Sequence, residues 1–215
     1  MQLSAYKIDK LRAKTSDKAL DSVFTRIHGI FERNKEIQDR LTTNVLLFSM
    51  GAYTFKHVVD QSFLTTGGDR EADSSVKIIN EVANNILMVA ADVNNPGHED
   101  WCDKLSPTRG SAYVTINESD LALSLSEMLF AGPEQMARLG NSNFNLKSRK
   151  VTYLNVSSSS HLGNMHRYFE GNQPVLKDVF SIIFKGKNPL EDRSITLLSR
   201  DDSPQAYNLR YCPYC

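Results

Sequence analysis

The junction at residue 49 constrains this chain more than any other feature. Thr43 to Phe48 is a strand-length apolar run. From Gly51 onward Phe55, Val58, Val59 and Phe63 recur at helical spacing, with only Ser49 and Met50 between the two patterns. A strand that passes straight into a helix is how a crossover to a parallel neighbour begins, because parallel strands need a long return path. The alternation continues downstream. Ile86 to Ala91, Ser111 to Ile116 and Lys150 to Val156 read as buried strands. Residues 75–82, 119–130 and 174–184 read as helices, the second with Leu121, Leu125, Met128 and Leu129 on one side and Gly132-Pro133 at its end, the third with Val175, Val179, Ile182 and Ile183 inward. Asn94-Asn95-Pro96-Gly97 is a turn, and 157–171 reads as a polar loop. Ahead of the first strand, residues 16–34 form an amphipathic pattern through Leu20, Val23, Phe24, Ile27, Ile30 and Phe31, with Ser16 as its N-cap. The expected class is α/β, a mainly parallel sheet flanked by helices.

The 215 residues suffice for one core, expected over 1–193, with 194–215 an irregular C-terminal tail carrying one edge strand near Ile195. Lys+Arg and Asp+Glu balance at 25 each, and no basic stripe stands out, which argues against a nucleic-acid partner. The apolar runs are too short to span a bilayer. Met1 is followed by mixed polar residues rather than a secretory leader, and three cysteines make no disulfide framework, so a cytoplasmic location is expected. The sequons at Asn117 and Asn155 are then chance matches.

In a parallel α/β sheet, sites form at the carboxyl ends of strands. Ser49 follows the first strand, Asp92 the second, Glu118 and Asp120 the third, His161 and His166 the fourth. Ser, acid and His in that order is the arrangement of a strand–Ser–helix elbow with its triad. A hydroxyl lifted out of the sheet attacks, an imidazole takes its proton, a carboxylate orients the imidazole, and the Met50 N–H at the helix start is an oxyanion donor. Against the G-x-S-x-G pattern, Leu47-Phe48-Ser49-Met50-Gly51 keeps the second Gly and has Leu at the first. Each position also has a simpler role. Ser49 and Asp120 suit helix N-caps, Asp92 suits a turn, and His166 suits a surface loop.

These segments resemble a bacterial α/β-hydrolase family of uncharacterised function, esterase/lipase-like, over its C-terminal two-thirds. Phe48-Ser49-Met50-Gly51-Ala52 is similar to the family's His-Ser-Met-Gly-Asn elbow. Ala90-Ala91-Asp92-Val93 resembles its Ala-x-Asp-Val strand end, Asn117 to Leu123 its Asn-Asp-x-Ala-Leu segment, and Met165-His166-Arg167-Tyr168-Phe169 its Gly-His-Ser-Tyr-Tyr/Phe segment. The helix at Pro174 to Phe180 also matches, and coverage runs from about Tyr6 to about Arg193. The resemblance implies Ser49 as nucleophile, Asp120 as acid and His166 as base; by strand-end position Asp92 stands as the reserve acid and His161 as the competing base. It also implies a partial fold lacking the N-terminal strands and the loop that carries a second oxyanion donor. His28-Gly29 does not replace that loop, since it lies within a helical pattern.

The expected activity is a serine hydrolase of carboxylesterase type acting on a small-molecule ester, with no cofactor. The alternative is a non-catalytic remnant of the fold, an interaction or structural protein. An oligomer or a partner chain completing the sheet is expected. No metal site is expected, because His98, Glu99, Asp100 and Cys102 lack tetrahedral ligand spacing. Cys212-Pro213-Tyr214-Cys215 has redox spacing with no helix to follow, so it reads as an untethered tail. His57, beside Lys56, is expected to be exposed.

Overall fold

The computed structural model describes residues 3–61, 72–129, 137–142, 144–157, 166–170, 173–185, 195–197 and 206–209. Three helices come first: α1 (Leu3–Thr15), α2 (Asp17–Arg33) and α3 (Lys35–Arg40). There follow β1 (Asn44–Phe48), α4 (Met50–Gln61), α5 (Ala72–Val82), β2 (Asn85–Val89) and α6 (Glu99–Cys102). The rest comprises β3 (Ala112–Ile116), α7 (Leu121–Met128), a 3-10 turn (Leu139–Asn141), β4 (Val151–Asn155), α8 (Gln173–Lys185), β5 (Ile195–Leu197) and β6 (Ala206–Leu209). The sheet order is β1-β2-β3-β4-β6-β5. The first five of these pair in parallel, and only β5, at the far edge, runs antiparallel to β6.

The central strands are mostly apolar because both faces of the sheet are covered. All residues of β2 and β3 are buried, as the near-continuous apolar runs of a parallel sheet require. The two-residue pleat then divides them. Ile86 and Met88, Ala112 and Val114, and Val151 and Tyr153 point to the face packed by Phe24 and Phe31 of α2, Phe55, Val58 and Val59 of α4, and Ile79 and Val82 of α5. Leu87, Val89, Tyr113 and Leu154 point to the other face, covered by Val175, Val179 and Ile182 of α8, with Leu123 and Tyr168.

Several local expectations are corrected. Helices α1 and α3 carry no apolar stripe to announce them; α1 buries Tyr6 while its Ile8 and Leu11 stay exposed. Ser16 does not cap α2 through its side chain: its hydroxyl donates back to the Arg12 carbonyl at 2.9 Å. On α2 the buried stripe is narrower than its apolar residues suggest, since Val23 and Ile30 face solvent. Helix α7 turns its apolar side outward. Leu121, Leu125 and Met128 are exposed, and the buried residues are Leu123 and Ser126. At its N-terminus Asp120 accepts the Ala122 and Leu123 N–H groups, and Ser126 faces inward to Asp92 and Arg138. His57 is half-buried against the Tyr53 ring, centroids 4.6 Å apart. Most consequentially, part of the stretch expected to be irregular is sheet: β6 inserts between β4 and β5, and Ala206 joins the core. Its weak alternation hid a strand only four residues long.

The elbow strand β1 stands at one edge. Among the described residues it pairs only with β2, and Leu46 on it is exposed. Phe63, Gly132-Pro133, His161, Cys212 and Cys215 lie outside the described residues.

Candidate active site

Ser49 lies between the last residue of β1 and the first of α4 with φ of 52°, a left-handed conformation for a residue with a side chain. That costs on the order of 1–2 kcal/mol and persists only where surroundings impose it. Here they do. The Ser49 N–H donates to the Val89 carbonyl at 2.9 Å, extending the β1–β2 ladder by one step. Its carbonyl accepts the N–H groups of Ala52 at 3.1 Å and Asp92 at 3.2 Å. The residue is thus held by both the following helix and the neighbouring strand end.

The glycine pattern around it is not what makes the turn feasible. Leu47, where the pattern has its first Gly, is accommodated in the core at 6 % exposure. A Cβ on Gly51 would meet nothing within 4 Å. The close approach occurs elsewhere: a Cβ on Gly140 would fall 2.3 Å from the Ala91 nitrogen, so only glycine lets that 3-10 turn lie against the end of β2.

Asp120 begins α7 from an extended conformation, and its Oδ1 accepts the N–H groups of Ala122 at 3.0 Å and Leu123 at 3.1 Å. The capping role and the site role coincide in this residue. Its carboxylate is fully buried and lies 2.9 Å through Oδ2 and 3.1 Å through Oδ1 from His166 Nδ1. The opposite ring nitrogen, Nε2, is 3.0 Å from Ser49 Oγ. Because Asp120 can only accept from Nδ1–H, Nε2 is left with a lone pair for the Ser49 hydroxyl. The imidazole sits against the Phe48 ring at 5.0 Å, and Phe48 in turn meets Phe169 at 5.4 Å.

The other candidates fall outside this line. Glu118 is exposed, accepting from Asn155 Nδ2 at 3.3 Å. Asp92 is buried on the other side of the strand end. It accepts from the Tyr6 hydroxyl and from Ser126 Oγ at 2.8 Å, pairs with Arg138 Nε at 3.3 Å, and has Lys10 Nζ at 3.9 Å. It is therefore neither a spare acid for His166 nor a simple turn residue. Burial dominates the titration of its neighbours: it pushes the Tyr6 phenol up and brings Lys10 down to about 8, against the pull of Asp92. Among the described residues no three His, Cys, Asp or Glu side chains gather as a metal site, and no helix is long and apolar enough to cross a membrane.

Residues 1–202 match the model of a family described as α/β hydrolases of unknown function (DUF900). The chain belongs to this family. No curated protein and no solved structure matches it significantly. The family places the chain among the α/β hydrolases and agrees with the parallel, helix-flanked sheet; it leaves the reaction open. Phe48, which packs on the His166 ring, stands where the expected elbow has His, and Arg138, which pairs with Asp92 outside the Ser49–His166–Asp120 line, lies just before a 3-10 turn that no periodicity marks.

Proposed function

We propose that this chain is a serine hydrolase acting on carboxylic esters, with Ser49 as nucleophile, His166 as base and Asp120 as its orienting acid. The single observation that carries this reading is the unbroken hydrogen-bonded line from Asp120 to His166 Nδ1, and from Nε2 to a Ser49 Oγ raised on a left-handed turn. In the reaction, Ser49 Oγ bonds to the ester carbonyl carbon as its proton passes to Nε2. The Met50 N–H, first amide of α4, donates to the oxyanion. Collapse breaks the carbon–alkoxide bond, and the proton leaves Nε2 on the departing alcohol. Water, deprotonated by the same nitrogen, then releases the acid and restores Ser49. No step draws on a metal or an organic cofactor. The substrate is a small-molecule ester, and the site of action is the cytoplasm.

Among the described residues β1 pairs only with β2, and this edge position favours a second reading, a chain that keeps the fold as an interaction protein and completes its sheet with a partner or a second copy. A fluorophosphonate probe separates the two. The serine-hydrolase reading expects covalent labelling that Ser49→Ala abolishes, together with hydrolysis of p-nitrophenyl esters lost in the same variant. A folded chain with no Ser49-dependent labelling would leave the interaction reading.

A further inference from the structure

We infer that Tyr168 is a positioning residue for this site, its buried hydroxyl tying the His166 turn to the strand end that also shapes the serine elbow. The inference rests on the serine-hydrolase reading above.

His166 immediately precedes a short turn, Arg167–Glu170, closed by the Glu170 N–H donating to the Arg167 carbonyl at 2.8 Å. The ring's placement therefore depends on what anchors the turn. Tyr168, two residues on, is 4 % exposed and buried among Leu87, Val89 and Leu154 on the α8 face of the sheet. Its oxygen accepts the Ala90 N–H at 3.1 Å and is bonded to the Thr115 hydroxyl. Thr115 in turn donates to the Met88 carbonyl at 3.3 Å. One donor order satisfies every group. The Ala90 N–H gives to Tyr168, Tyr168 O–H gives to Thr115, and Thr115 O–H gives to Met88. Burial pushes the Tyr168 phenol well up, so it keeps the proton this order needs.

The anchoring point is also particular. Ala90 has φ of 50°, the second left-handed non-glycine at the site, and its N–H is given to the Tyr168 side chain. The preceding residue, Val89, is the one whose carbonyl accepts the Ser49 N–H. Ser49 and the His166 turn are thus both referenced to residues 89 and 90 of one strand end. Phe169, next along, closes the same turn onto Phe48, the residue before Ser49. A shift of about 1 Å between nucleophile and base costs on the order of 10²-fold in rate. A fixed common reference is what prevents such a shift.

The test compares Tyr168→Phe, Thr115→Val and Thr115→Ser in the full chain. Two readouts are used: the rate of fluorophosphonate labelling, and the downfield proton resonance of His166 Nδ1–H, identified by its loss in Asp120→Asn. Tyr168→Phe and Thr115→Val are expected to slow labelling on the order of 10²-fold and to weaken or broaden the resonance, while Thr115→Ser, which keeps the hydroxyl, restores both. Phe24→Leu, in the core on the opposite face, serves as a control for lost stability, and it should lower the melting temperature with the resonance intact. Labelling of Tyr168→Phe within twofold of the parent with an unchanged resonance would overturn the positioning role. So would an equal loss of resonance in Phe24→Leu, or no such resonance in the parent. If the parent is not labelled at all, the hydrolase reading fails, and the resonance still decides whether Tyr168 holds the ring.

Discussion

Two buried aspartates stand at the carboxyl ends of adjacent strands, Asp92 after β2 and Asp120 after β3, and their surroundings give them opposite tasks. Asp92 is enclosed by Tyr6, Ser126, Arg138 and Lys10, which join α1, α7 and the 138–142 segment to the end of β2. Arg138 extends the net to Asn94 and to Ser126 Oγ at 3.0 Å. Asp120 has two backbone amides behind it and a histidine, one-fifth exposed, in front. One carboxylate is saturated by partners that stay in place. The other faces a ring that can exchange a proton with a serine. A strand-end acid is thus read by what surrounds it rather than by its type or its place in the topology.

Removing charge from each acid in turn should separate the two most clearly. Asp120→Asn should lower ester hydrolysis and probe labelling by about 10³–10⁴-fold, because an amide no longer enforces the tautomer that leaves Nε2 free. Its melting temperature should stay within a few degrees of the parent. Asp92→Asn should do the reverse. Leaving Arg138 buried beside a neutral group costs about 3–5 kcal/mol, read as a fall in the urea midpoint, with turnover per folded molecule reduced less than about tenfold. Equal losses of turnover in both variants would erase the distinction.

A smaller effect belongs to the Asp92 side. Lys10 is lowered to about 8 from the ordinary lysine value by burial. Between that value and the unfolded lysine's, the unfolded chain binds the extra proton, so stability should rise as pH climbs from about 8 towards 10. Below pH 8 the fold carries the full cost of a buried ammonium. Urea titrations should show the stability difference between the parent and Lys10→Met moving in the parent's favour across this window, since the opposing slope of the buried Cys102 thiol, itself pushed up by burial, is common to both chains. The Tyr6 phenol is shifted up and adds an opposite slope only above its unfolded value, so the two separate below pH 10. The smallest change is Gly51→Ala. With open space for a Cβ at a helix position, it should stabilise by about 0.5–1 kcal/mol and leave labelling within a few-fold, although Gly51 is the one motif glycine present.

How far the sequence could be read depends on where each signal is local. The strand–serine–helix junction was legible because two periodicities meet at Ser49 with nothing between them, and the parallel order of the four main strands followed from the helices separating them. The third-strand acid and the fourth-strand histidine were legible only as choices: Asp92 or Asp120, His161 or His166. Periodicity misled at α7, where the apolar side Leu121, Leu125 and Met128 faces outward. That helix instead buries Leu123 and Ser126 behind the capping Asp120, with Ser126 bonded to Asp92 and Arg138. Periodicity also missed α1 and β6, which have too few patterned residues to stand out and are held by partners distant in sequence.

By itself, then, the sequence determined the class of fold and the position of the serine, because strand and helix periods are properties of neighbouring residues. The tertiary structure alone decided which acid faces the histidine, why a chain with Leu47 can still turn at residue 49, and how Tyr168 reaches Ala90 and Thr115. Each of these depends on side chains dozens of residues apart meeting in a buried space. There the energy is set by which polar groups find a partner, and no local pattern records that outcome.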